Sequence, residues 1–200
     1  MTISGDNTYE GDTTVSAGTL QLGAADRIDD VSDLILASGA QFDMAGFDET
    51  IHSISGVSGS SIAIGGGHLR ISGVWTTEFA GVIGGVGGKL IHNGEGTLRL
   101  SGANTYSGGT VISGGLVQVW GDSNLGDPEG DIWIGSWKHL QIMNDTEVSA
   151  GRTLILGDGG GKVTVNAGKT VDYLGTIVGS QFNKSGEGRL NLHVTSTYTG

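Results

Sequence analysis

The stretch from Leu98 to Val119, LRLSGANTYSGGTVISGGLVQV, constrains the fold more than any other part of this chain, because most of it occurs again at both ends. Residues 3–11 read ISGDNTYEG and residues 192–200 read LHVTSTYTG, so Tyr9, Tyr106 and Tyr198 mark three copies offset by 97 and 92 residues. Thr13 to Leu22 align without gaps onto Thr110 to Val119, and Gly94 to Leu100 onto Gly186 to Leu192. A partial form lies between them: Leu69-Arg70-Ile71-Ser72-Gly73, then Phe79-Ala80-Gly81. A chain that repeats itself in this way builds its core by stacking similar units.

The units are strands. Apolar residues come in short runs such as Leu34-Ile35-Leu36, Leu154-Ile155-Leu156 and Val163-Thr164-Val165, and β-branched residues suit a pleated surface. No stretch of ten or more residues keeps a helical spacing of apolar positions. Glycine occupies 39 positions and proline one, without the every-third-residue period of collagen or the proline of a disordered linker. Ser16-Ala17-Gly18, Ser149-Ala150-Gly151 and Asn166-Ala167-Gly168 each precede a strand-like run, with Ser113-Gly114-Gly115 similar. Small polar residue, small residue, glycine is what a tight bend needs, the glycine supplying positive φ.

Two all-β architectures fit: an antiparallel sandwich and a parallel β-helix. Hairpins favour Asn-Gly and Asp-Gly turns. Only Asn93-Gly94 and Asp158-Gly159 are present, too few for so many strands. Three strands of about five residues with short turns give a coil of roughly 20–25 residues. The chain then holds eight to ten coils in a rod roughly 40–48 Å long at about 4.8 Å per rung.

The net charge is −11, from 21 acidic and 10 basic residues. That balance argues against nucleic acid and anionic membranes, which need Lys and Arg beside phosphates. The simpler role of the acidity is to keep a flat, glycine-rich surface soluble and monomeric. The absence of cysteine fits either a reducing compartment or export of an extended chain. The most apolar stretch, Ala80 to Ile91, is too short and glycine-broken to span a membrane, and Met1 leads into strand sequence rather than a signal peptide. The chain begins and ends inside repeat copies near 3–22, 88–119 and 182–200. Residues 1–200 are therefore expected to be a single β-helical fragment of a longer chain.

The run Gly88-Lys89-Leu90-Ile91-His92-Asn93-Gly94-Glu95-Gly96-Thr97-Leu98 through Gly109-Thr110-Val111 resembles the passenger-associated transport repeat of bacterial autotransporters. Leu98, Leu100, Gly102, Asn104, Tyr106 and Gly108, with Tyr9 and Tyr198, are the structural repeat residues. The flanks Leu34 to Ala40, Gly46 to Ile51 and Phe79 to Gly85 are similar to AIDA-like passengers. The resemblance implies a right-handed parallel β-helix on the Gram-negative surface, exported by its own C-terminal β-barrel translocator, which this sequence lacks. It also implies a role for the repeat region in folding during secretion. Val194 and Ser196 depart from the pattern, as do residues 120–147 with Trp120, Pro128, Trp133 and Trp137.

Asp26, Asp29, Asp30 and Asp33 form the densest acidic cluster. They could hold Ca²⁺ or act as the paired carboxylates of a polysaccharide-cleaving β-helix, but a solvated loop is the expectation. His52, His68, His92, His139 and His193 lack metal-ligand spacing, and His92 and His193 are expected at the surface. There is no Gly-x-Ser-x-Gly elbow. No catalytic residue, metal ligand or cofactor is therefore assigned. Binding rests on Trp120, Trp133 and Trp137, which could stack on a sugar or form a partner patch. Alternatively, Trp133 points away from Ile132 and Ile134 onto a neighbouring loop. The resulting expectation is a non-enzymatic rod and adhesin or virulence factor. Its partner would be a host-cell or matrix receptor, a surface glycan or another copy. A β-helical polysaccharide lyase or glycosidase is the alternative, and a pure spacer a third.

Overall fold

The computed structural model describes residues 1–193 and 197–198. Short strands wind into parallel sheets along a single axis. The first face is a nine-stranded sheet running from Thr13–Val15 to Phe182–Ser185. The second is a six-stranded sheet from Thr2–Ile3 to Thr105–Tyr106, resumed by three strands from Thr146–Val148 to Arg189–Leu192. The third has eight strands from Glu49–Ile51 to Thr197–Tyr198. The chain visits first, second and third face in turn, so the fold is a parallel β-helix of about nine coils. Partners one coil apart are 19 residues apart at Thr2↔Gln21 and 25 at Thr146↔Val171, close to the predicted coil. No helix among the described residues is long and apolar enough to cross a membrane.

Alternation makes the core. Thr97–Leu100 buries Leu98 and Leu100 and turns Thr97 and Arg99 outward, as period two requires. Stacked in register, the inward residues form columns. On the third face Ile51, Ile71, His92, Ile112 and Ile134 follow one another. On the first face Leu36, Gly56, Phe79, Leu100 and Val119 do so. Gly56 is the gap that admits a ring, since a Cβ there would lie 2.6 Å from Phe79. Each aliphatic side chain so buried contributes about 1.5–3 kcal/mol.

The repeat residues hold one coil to the next. Tyr106 is fully buried, and its hydroxyl meets Thr110 Oγ1 at 2.7 Å. Asn104 accepts from the Ile83 N–H at 2.8 Å and donates to the Asn124 carbonyl at 2.6 Å. A side chain at Gly102 would overlap the Gly81 carbonyl, and one at Gly108 the Gly87 and Gly88 carbonyls. The same bonds recur in the first copy, where Asn7 donates to the Arg27 carbonyl at 2.8 Å and Tyr9 pairs with Thr13 at 3.0 Å. The side chain of Tyr198, and Val194 and Ser196 altogether, lie outside the described residues.

The copies do not sit above one another. In the middle copy Thr97–Leu100, Thr105–Tyr106 and Thr110–Ile112 lie on the first, second and third faces. In the first copy Thr2–Ile3 lies on the second face and Thr13–Val15 on the first. In the last, Arg189–Leu192 lies on the second face and Thr197–Tyr198 on the third. The two outer copies are in phase, and the middle one is turned by a face. The predicted turns hold at Gly18, Gly115 and Gly168, whose φ values are positive. At Gly151 they do not: there Ser149 Oγ accepts the glycine N–H at 3.2 Å and fixes the bend without that conformation.

Candidate functional site

Residues 120–131 take the place of a strand on the second face. A 3₁₀ turn, Asp122–Leu125, buries Asn124 and Leu125. Asn124 Oδ1 accepts the N–H groups of Trp120 and Gly121 at 2.8 and 2.9 Å. The segment is clamped by Arg152, which is wholly buried. Its guanidinium bonds Asp122 Oδ1 at 2.7 Å and the Gly130 carbonyl at 2.6 Å, with longer bonds to the carbonyls of Leu125 and Gly126. Gly126 in turn lies against the Tyr106 ring. Burial pushes the Tyr106 hydroxyl far above the ordinary phenol range. The segment is thus a lid on the repeat. Sequence reasoning missed Arg152, whose only signal is a long cation beside the apolar run Leu154-Ile155-Leu156.

The three predicted tryptophans part company here. Trp120 is half-buried where the lid begins. Trp133 points away from the buried Ile132 and Ile134, and its ring lies over Gly135. Trp137 is 73% exposed and stands in the left-handed region at φ 64°. It borders a cleft of about 360 Å³ lined also by Gly161, Lys162, Asn183, Lys184 and Ser185. Lys184 Nζ donates to the Gly186 carbonyl at 2.6 Å and to that of Gly188, and Ser185 Oγ meets Thr164 Oγ1 at 2.6 Å. Lys138, next to Trp137, reaches back to Glu95 at 3.0 Å. Trp75, 69% exposed, stands on the same corner three coils earlier; its sequence context gave no sign of this.

The acidic cluster is a second lid. Asp29 Oδ1 accepts the Val31 N–H at 3.1 Å, and Asp33 bonds His52 at 2.8 Å. The carboxylate that organises it is Glu49, completely buried, which accepts the N–H groups of Arg27 and Ile28 at 3.0 and 2.8 Å. Burial, aided by the charges of Asp26 and Asp30, outweighs those two donors and pushes Glu49 up to about 7. Burial, then Asp26 and Asp29, also raises Asp30. Among the described residues no group of three or more His, Cys, Asp or Glu is arranged to hold a metal ion.

His193 is exposed and meets Asp172 at 2.8 Å. His92 is not at the surface as its sequence context suggested; it is only 2% exposed. It occupies an inward position in an isoleucine column, where burial lowers its pKa and Nε2 contacts the Gly96 carbonyl at 3.1 Å.

A family model described as passenger-associated-transport-repeat matches residues 1–22, 90–119 and 182–200. The chain is 33% identical over 132 residues to the adhesin BmaC autotransporter of Brucella suis biovar 1 (strain 1330). That alignment covers 64% of this chain and 4% of the relative, so the chain spans a small part of the protein it matches. No solved structure matches it. The repeat, the parallel β-helix that it builds and this relative together support an autotransporter passenger domain.

Proposed function

We propose that this chain is a stretch of surface-displayed rod in an adhesive passenger, carried through the outer membrane by a β-barrel translocator. It is non-enzymatic in itself, and it meets a host-cell or matrix receptor, a surface glycan or another copy. The repeat geometry carries this reading: in the first and middle copies an asparagine, Asn7 or Asn104, bonds a carbonyl of the next coil, and in the middle copy Tyr106 is fully buried. Such a unit lets coils add one at a time as an exported chain emerges. The 33% identity to an autotransporter adhesin supports adhesion as the task of the whole protein, at the surface or outside a Gram-negative cell. Two carboxylates of the acidic loop, Asp29 and Asp33, bond the Val31 N–H and His52, which supports a structural role for the loop.

The test is display of the chain, joined to a β-barrel translocator, on a non-adherent Gram-negative cell. The expected outcome is a protease-resistant surface rod and a gain in attachment to host cells or matrix. Correct display with no gain in attachment would remove the adhesive role. Polysaccharide turnover that disappears in an Asp29→Ala, Asp30→Ala variant would replace it with an enzyme.

A further inference from the structure

We propose that the cleft beside Trp137 binds a carboxylated sugar residue of a glycan; the idea deepens the adhesive reading above and rests on it. Three independent observations converge. Trp137 has left-handed backbone geometry, an outlier for so bulky a residue. Continuing the sheet register, its counterpart in the next coil is Gly160, a glycine at φ 79°, the residue this bend calls for. The ring does not repay the strain by packing, since it is 73% exposed. Strain kept without a structural return marks a functional position.

The second observation is charge. In a chain of net charge −11 with only 10 basic residues, two lysines line this one cleft. Lys184 Nζ is engaged by backbone carbonyls, whereas Lys162 Nζ has no hydrogen-bond or ion-pair partner among the described residues. A free ammonium on an acidic rod is complementary to a carboxylate and repels nothing that such a ligand brings. His139, the neighbour of Lys162 in register, is held below its usual pKa by burial and then by that lysine, so it adds no charge beside Lys162 at neutral pH.

The third is shape. About 360 Å³ lies at the small end of ligand clefts, about 300–1,000 Å³. One wall is an indole and the floor begins at Gly161. A pyranose ring would lay its C–H face on the indole. Its carboxylate would meet Lys162, and a hydroxyl the Asn183 amide, which has no partner among the described residues. A neutral sugar would leave the lysine unused, and an acidic peptide the aromatic wall.

The experiment titrates the purified chain with galacturonic acid oligomers and sialyllactose, alongside neutral galactose oligomers and a glutamate-rich peptide. Tryptophan fluorescence and calorimetry give the readout. Binding of an acidic sugar, with the neutral sugar and the peptide at least roughly tenfold weaker, is the expected result. W137G should abolish binding while thermal unfolding stays level or rises, because glycine relieves the left-handed strain. K162Q should erase the preference for acidic over neutral sugar, and W75A should change nothing. Unaltered binding by W137G or K162Q, equal affinity for neutral sugars, a tighter peptide or no binding at all would each overturn the proposal. On displayed cells the two ideas separate. Attachment that survives W137G sinks the sugar site and leaves the adhesive rod, whereas sugar binding by a rod that attaches to nothing does the reverse.

Discussion

The two loops that close over repeat copies, residues 23–30 and 120–131, begin from matched positions and are secured by opposite means. In each, an asparagine of the preceding copy reaches the carbonyl of the loop's central residue, Arg27 or Asn124, and the next residue, Ile28 or Leu125, is buried. The first loop offers N–H groups inward and is held by the buried carboxylate of Glu49. The second offers carbonyls and is held by the buried guanidinium of Arg152. Once a strand is missing, its neighbours' backbone groups need other partners, and the sign of the exposed groups selects the sign of the clamp. The coverage differs as well: Tyr106 is fully buried beneath its lid, while Tyr9, with the same hydroxyl bond, is 41% exposed.

Arg152→Ala should give the largest loss, about 3–5 kcal/mol, because it strands Asp122 and several buried carbonyls; urea unfolding at pH 7 measures it. A loss below about 1 kcal/mol would mean that the lid holds itself. Tyr106→Ala should cost about 3–5 kcal/mol by leaving a cavity under the lid. Tyr9→Ala should cost less than about 1 kcal/mol, as an exposed residue does. Equal losses would erase the distinction between the two copies.

The opposite clamps also predict different responses to pH. Folding raises the pKa of Glu49 from an ordinary carboxylate value to about 7. Its contribution is therefore fully present below about pH 4.5 and is lost as pH rises through 7, by at most about 3 kcal/mol. Arginine does not titrate in this range, so the second loop has no such dependence. Unfolding midpoints from pH 5 to 8 should show the wild type losing stability relative to Glu49→Gln as pH rises; parallel curves would refute the shift. A smaller effect than at Arg152 or Tyr106 is expected at Asn104→Ala, about 1–3 kcal/mol for a lost buried hydrogen bond. The same change at Asn7, under an open loop, should cost less in the same assay.

How much of this was legible in the sequence varies from residue to residue. Leu98, Leu100 and the apolar runs gave away the strands, because alternation is a local property. Trp133 could be read from its flanking isoleucines for the same reason. His92 could not: its neighbours look like surface residues, and only the column formed by Ile71 and Ile112 on adjacent coils shows it facing inward. Glu49 and Arg152 were invisible because their partners lie 21 to 30 residues away. Trp137 was singled out by its type, but its cleft is made by Lys162 and Asn183 from the next two coils.

The amino-acid sequence by itself determined the unit: a repeated strand, glycine bend and inward tyrosine that can bury an apolar face only by stacking. It also determined the parallel winding, since the hairpin turns are missing. The tertiary structure alone decided the phase. Coils vary from 19 to 25 residues, so offsets of 97 and 92 residues are not whole numbers of coils, and the middle copy is turned by one face against the other two. Which tyrosine is covered, which charge is buried and which tryptophan stands free all follow from that accumulated rotation. A repeat fixes what its own residues do, and the coils before and after it fix what they meet.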